Sequence, residues 1–215
     1  MKDLIVLAAD LDIERVVQEL IPRLPHVYGT RPVSFDIFRH QYRDSGCATG
    51  SPEFLRPFLG QYQCALVVFD REGSGQEARP REAIEAGIEA ELVQNGWPSG
   101  RVMAIAIDPE IENWMWVPSP RVAAALNWIA ETSLYDWLMA SGYLTAGSSK
   151  PHRPKEAMEA VLRHTRRPRS ASIYEEIARH VSFRSCTDAS FLKMMQGLRH
   201  WFAGSGHDPE AAGRV

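Results

Sequence analysis

Three aliphatic runs, each closing on a carboxylate, constrain this chain more than any other feature: residues 4–9 (LIVLAA) before Asp10, 64–69 (CALVVF) before Asp70 and 102–107 (VMAIAI) before Asp108. A run without alternation leaves no side for water. Each segment therefore fits a strand covered on both faces, as in a parallel sheet with helices above and below. Helical spacing fills the intervals. Ile13, Val16, Val17, Leu20, Ile21 and Leu24 recur on one helical face, with Pro22 and Pro25 marking its end. A helix is expected over residues 77–94, with Ile84, Ile88, Leu92 and Val93 inward and Asn95-Gly96 closing it.

Residues 33–40 (VSFDIFRH) alternate apolar with polar and predict a half-exposed edge strand. Residues 41–61 read as a loop with one short helix near 53–59. Past Pro109, the spacing of Ile111, Trp114 and Met115 predicts another helix. The expected fold class is α/β, a mostly parallel sheet flanked by helices across residues 1–117. Beyond it the patterns at 122–130, 134–139, 154–164, 173–181 and 189–202 are helical. They predict an all-helical part, residues 118–203, packed on the sheet domain, and a flexible tail at 204–215.

A chain of 215 residues holds one generous domain or one domain with a helical appendage. Hydrophobic residues at 45% and charged residues at 24% set it apart from a disordered chain. No apolar run exceeds six residues, against the ~20 that cross a bilayer, so no membrane span is expected. The first residues lead straight into a strand pattern and do not resemble a secretion signal. Cys47, Cys64 and Cys186 are too scattered for a zinc knuckle or a disulfide framework, which fits a reducing cytoplasm. Charge is uneven. Residues 151–215 carry 11 Lys and Arg against 7 Asp and Glu, net +4, while residues 1–150 carry 13 against 20, net −7.

Ligands of open parallel sheets bind at the carboxyl ends of the strands. Eight acids fall there: Asp10, Asp12 and Glu14; Asp70 and Glu72; Asp108, Glu110 and Glu112. No lysine lies among them in sequence. Like charges gathered together repel unless a cation joins them, and oxygen-only donors suit Mg²⁺ or Mn²⁺ better than zinc. Asp12 and Asp108 are expected to cap helices. Asp70 and Glu72 leave a buried strand into Gly73-Ser74-Gly75, where both carboxylates project to one side and glycine admits a phosphate or metal.

The segment Asp70-Arg71-Glu72-Gly73 after an apolar strand resembles the acid-x-acid motif of the TOPRIM fold, found in topoisomerases, primases and OLD-type nucleases. That fold pairs the motif with an acid after the first strand, the place of Asp10, and related sequences often carry another where Glu14 stands. Over most of its length the chain also resembles a bacterial TOPRIM-like family of unknown function linked to phage defence, including methylation-associated systems. The matching pieces are IDPEIENW at 107–114, Lys150-Pro151 and Pro154-Lys155 before Ala157, and Ser190-Phe191 ahead of Leu198.

The resemblance implies a cytoplasmic, metal-dependent nuclease acting in anti-phage defence, on DNA in preference to RNA, alongside other defence proteins and open to oligomerisation. Asp10, Asp70 and Glu72 would hold Mg²⁺ or Mn²⁺, and Glu14 or Glu112 would complete a second metal site or serve as general base. Two positions depart from the pattern. Leu11 stands where the family has glycine, and Glu72 where aspartate is common. They keep open the alternative of a catalytically inactive subunit that holds partner proteins. A nucleotide-binding regulator lacks its signature, since no Gly-x-Gly-x-x-Gly or Walker segment follows any strand.

The tail offers Arg163, Arg166, Arg167 and Arg169 as candidate nucleic-acid contacts, with a solvated linker as the alternative. Trp114, Trp116, Trp128, Tyr135 and Trp137 are expected to dock the helical part on the sheet and not to stack on bases. Cys47 has no histidine near it in sequence, and Ser74 lacks the Gly-x-Ser-x-Gly setting of a nucleophile.

Overall fold

In a computed structural model of the chain, which describes residues 1–204, β1 (Lys2–Ala8), β2 (Phe35–Arg39), β3 (Tyr62–Asp70) and β4 (Val102–Ile107) form one all-parallel sheet ordered β2-β1-β3-β4. Register aligns their carboxyl ends. Ala8 pairs with Arg39 on one side and Val68 on the other, and Asp70 with Ile107. The three aliphatic runs are buried on both faces, and VSFDIFRH contributes the half-buried edge strand its alternation predicts.

Helices α1 (Leu11–Leu20), α3 (Arg43–Leu55) and α4 (Arg81–Gln94) make the crossovers, and the short α2 (Leu24–Tyr28) follows α1. The chain moves one way from β1 to β2 and the other way from β2 to β3 and β4. Right-handed connections therefore put α1 on one face and α3 with α4 on the other. Helices α3 and α4 touch each other accordingly. Past β4 come α5 (Glu112–Met115), α6 (Pro120–Ala125), α7 (Leu134–Ala140), α8 (Pro154–Thr165), α9 (Ala171–His180) and α10 (Ala189–Trp201). Among these, α9 covers α1 and α10 lies against β4. The tail at 205–215 lies outside the described residues.

Helix α3 begins ten residues before the short helix expected near residue 53. Its sequence, RDSGCATGSPEFL, hides it, because two glycines and a proline interrupt any apolar period. Those residues have tertiary work. Gly46 and Gly50 lie one turn apart against the buried His40 ring, and a Cβ on Gly46 would sit 2.0 Å from His40 Nδ1. Pro52 cannot donate to the Ala48 carbonyl, which accepts from Gln76 Nε2 at 3.4 Å instead.

The outer edge of β4 is closed by side chains. Glu89 and Glu85 of α4 accept from the Ala104 and Ala106 amides, both at 3.0 Å. Lys193 of α10 donates to the Ala104 carbonyl at 3.0 Å and to Glu89 and Glu85 at 2.7 and 3.1 Å. An edge satisfied in this way offers no ladder to another chain. Trp114 and Trp116 are fully buried, their indole N–H groups bonded to Ser190 and Asp188 and to the Pro154 carbonyl. They dock the helical part as expected. Trp128 and Trp137 pack on each other and on His164 of α8, centroids 4.8 and 5.1 Å from its ring, at the margin of the core.

Candidate functional site

The parallel register brings the strand-end acids to one rim, where three groups form. The first is Asp10, Asp44 and Asp70. Asp10 caps α1, its Oδ1 accepting from the Ile13 amide at 3.0 Å. Asp44, in the first turn of α3, accepts from the Asp70 backbone amide at 2.8 Å, which tucks it under the β3 exit. Its Oδ2 stands 3.7 Å from where a Cβ on Gly73 would lie, and Gly73 has φ +85°. Glycine there lets the turn run close over the carboxylate. Asp70 Oδ1 is buried without a hydrogen-bond partner among the described residues. Burial, then the charges of Asp44, Glu112, Asp10 and Glu110, push the Asp70 carboxyl well above the usual carboxylate range. Burial and Asp10 likewise raise Asp44. Burial, with the charges of Asp44 and Asp10, holds the Cys47 thiol protonated, which removes it as a nucleophile.

The second group is Glu72, Glu110 and Lys155. Lys155 Nζ donates to Glu110 Oε1 at 3.0 Å, and Glu72 stands close enough to act on the Glu110 carboxyl. Burial lifts Glu110 to about 7, against the pull of Lys155 and with the help of Glu72. The two acids of the acid-x-acid pair thus have different principal neighbours: Asp44, Glu112 and Asp10 act most on Asp70, and Glu72 acts on Glu110. Between them Arg71 ties the turn down, pairing with Asp108 at 3.2 Å and donating to the Arg79 carbonyl. The amides of Arg71 and Glu72 donate to the Ile107 and Pro109 carbonyls, at 2.8 and 3.1 Å.

The third group is Asp12, Glu112, Tyr174 and Arg169. Glu112 is buried, its Oε1 accepting from Tyr174 Oη at 2.6 Å and Arg169 Nη2 at 3.0 Å, while its Oε2 has no partner among the described residues. Arg169 Nη2 also reaches Asp12 Oδ2 at 3.1 Å. Neither Asp12 nor Asp108 caps a helix; each pairs with an arginine, and Asp10 does the capping.

Glu14 pairs with Arg39 at 2.7 Å on the wall of an open cavity of about 870 Å³ that also contains Asp10 and Arg169. The four candidate arginines separate. Arg167 bonds the Ala125 carbonyl and Glu176, and Arg169 joins the third group. Arg163 makes a loose exposed pair with Glu159 at 3.7 Å, and Arg166 is an exposed residue that ends α8 at φ +53°.

Asp44 was absent from the strand-end acids because it follows the edge strand, whose alternation marks it as less buried. An acid just after VSFDIFRH was nonetheless the available signal. Lys155, Arg169 and Tyr174 arrive from far along the chain, and no local pattern announces them. Among the described residues no three His, Cys, Asp or Glu side chains are gathered closely enough to hold a metal ion as they stand. Magnesium is commonly held by only one or two carboxylates, with water and substrate phosphate completing its shell. The unpartnered Asp70 Oδ1 and the oxygen-only neighbours Asp10 and Asp44 fit that requirement. Comparison with known protein families, curated proteins and solved structures finds no match for this chain.

Proposed function

We propose that this chain is a Mg²⁺- or Mn²⁺-dependent phosphodiester hydrolase of the TOPRIM-like type, acting on nucleic acid, DNA before RNA, in cytoplasmic anti-phage defence. The observation that carries it is Asp70: a carboxylate with a buried, unpartnered oxygen among other acids at the carboxyl edge of a parallel sheet, where no lysine or arginine among the described residues bonds to it. Such a group is unfavourable alone and favourable beside a divalent cation. Asp10, Asp44 and Asp70 are the residues that would hold the ion. Bound there, it supplies charge neutralisation of a phosphate and a lowered pKa for water. Glu110, poised near neutrality and shielded from solvent, is the group suited to exchange a proton with the reacting atoms. Glu72 keeps it so poised, and this replaces a direct metal role for Glu72.

Purified protein is expected to cleave DNA with Mg²⁺ or Mn²⁺, and Asp70→Asn to abolish cleavage without lowering Tm. Wild-type protein that binds the metal and cuts neither DNA nor RNA would refute the enzyme. One observation favours the second reading, an inactive subunit holding defence partners: Lys155 and Arg169 already neutralise two of the three acid groups. A Tm indifferent to Mg²⁺ and Mn²⁺ would support it.

A further inference from the structure

The turn that leaves β3 holds an anion that belongs to the chain itself. Glu77 Oε1 accepts from the backbone amides of Gly73 at 2.8 Å and Gly75 at 3.2 Å. Both glycines are left-handed, at φ +85° and +76°, so amides two residues apart converge on one oxygen. A concavity of backbone N–H groups of this kind is a general binding place for anionic oxygens. The amides of Glu77 itself, Gly75 and Gly73, with the charge of Arg71, hold the Glu77 carboxyl below the usual carboxylate range.

The turn has supports that bypass this carboxylate. Ser74 Oγ donates to the Arg71 carbonyl at 2.6 Å and accepts from the Gln76 amide at 3.2 Å, and the Ser74 amide donates to the same carbonyl at 3.2 Å. Gln76 Nε2 donates to the Ala48 carbonyl of α3, and Arg71, paired with Asp108, donates to the Glu77 and Arg79 carbonyls. Ser74 is buried, whereas Gly73, Gly75 and Glu77 are exposed. The two amides are thus fixed in place, and only an exposed side chain covers them. Their position gives them a use. Gly73 lies over Asp44, whose Oδ2 is 3.7 Å from where a Cβ on Gly73 would stand. A cation held by Asp44 and Asp70 has these amides beside it, and carboxylate and phosphate oxygens accept from the same donors.

We propose that the Gly73 and Gly75 amides bind a phosphate oxygen of the polynucleotide substrate, and that the Glu77 carboxylate occupies this place until substrate displaces it. The proposal rests on the phosphodiester reading above; it assigns the phosphate subsite of that site and a competitor built into the chain. It is tested by titrating isotope-labelled protein with inorganic phosphate, in Mg²⁺ and separately in EDTA, while the Gly73 and Gly75 amide resonances are followed by NMR, and by measuring KM for DNA cleavage.

Glu77→Ala is expected to let phosphate shift both amide resonances with an affinity about tenfold above wild type, and to lower KM by a similar factor, because a tethered competitor has been removed. Glu77→Gln keeps an acceptor oxygen without the charge and should fall between the two. Binding should weaken in EDTA, where Asp10, Asp44 and Asp70 repel the anion. Glu53→Ala removes an exposed acid from α3 and should match wild type, which separates the subsite from a general change in charge. If Glu77→Ala loses the turn and Tm falls, Glu77→Gln alone decides. Phosphate that leaves the Gly73 and Gly75 resonances unmoved in the folded variants, or a KM that rises while Tm holds, overturns the proposal. Shifted resonances without cleavage of DNA or RNA leave the phosphate subsite standing and remove the nuclease. Cleavage with unmoved resonances does the reverse.

Discussion

Asp3 and Asp70 lie at opposite edges of one sheet and are buried to opposite effect. At the amino edge, Asp3 accepts from Arg31 Nη2 at 2.6 Å, from the Ser34 amide and hydroxyl at 2.8 and 2.6 Å, and from Gln63 at 3.3 Å. The Arg31 hydrogen bond leads the effects that hold its carboxyl far below the usual range. At the carboxyl edge, Asp70 has one buried oxygen with no partner among the described residues, and other acids around it. Both edges bury acids, but Asp3 receives the hydrogen bonds that a carboxylate needs and Asp70 Oδ1 does not. An acid with a full set of donors stabilises the fold; one without them costs stability, which is the cost that the proposed cation would offset.

The contrast breaks most readily at Asp70. Asp70→Asn is expected to cut phosphodiester hydrolysis more than about 100-fold while Tm holds or rises, since a neutral amide ends the repulsion. A clear fall in Tm would mean that Asp70 is as structural as Asp3. Asp3→Asn should cost about 2–3 kcal/mol in denaturant unfolding, because it weakens charge-assisted bonds and strands Arg31, which is itself partly exposed. Gly46→Ala should cost about 1–3 kcal/mol by overpacking the His40 ring. It should also displace Asp44, so metal affinity falls with stability.

The pH dependence of unfolding sharpens the comparison, because the two acids have opposite signs. Asp3 is depressed in the folded state, so its contribution is present above its unfolded value near 4 and is lost as pH falls below it. Asp70 is raised. Its contribution is full below about pH 4 and fades as pH climbs through the native value. Asp3→Asn should flatten the acid limb and Asp70→Asn the neutral one, by about 1.4 kcal/mol for every tenfold difference in proton affinity between the folded and unfolded chain that the substitution removes. Mg²⁺ should restore stability at neutral pH only in protein that retains Asp70. The smallest effect is expected at the exposed Arg163–Glu159 pair, where Arg163→Ala should stay within about 0.5 kcal/mol.

Much of the carboxyl edge was legible from one dimension. Unbroken aliphatic runs mark doubly covered strands, parallel strands share an edge, and Asp10 and Asp70 follow from where those runs stop. Helix α3 was not, because its glycines and proline answer to His40 and Gln76 and not to helix propensity. That Asp70 and Glu72 have different principal neighbours was hidden too. It depends on Glu110 and Lys155, side chains 38 and 83 positions beyond Glu72 that the fold brings beside it.

The amino-acid sequence determined by itself that this chain builds a parallel α/β sheet with acids at one end of its strands, because burial and hydrogen-bonding periodicity act over a few residues. Only the tertiary structure decided which acids stay uncompensated. Charge pairing acts through space, and the cations that neutralise Glu110, Glu112 and Asp12 come from helices and linkers whose positions no local pattern encodes.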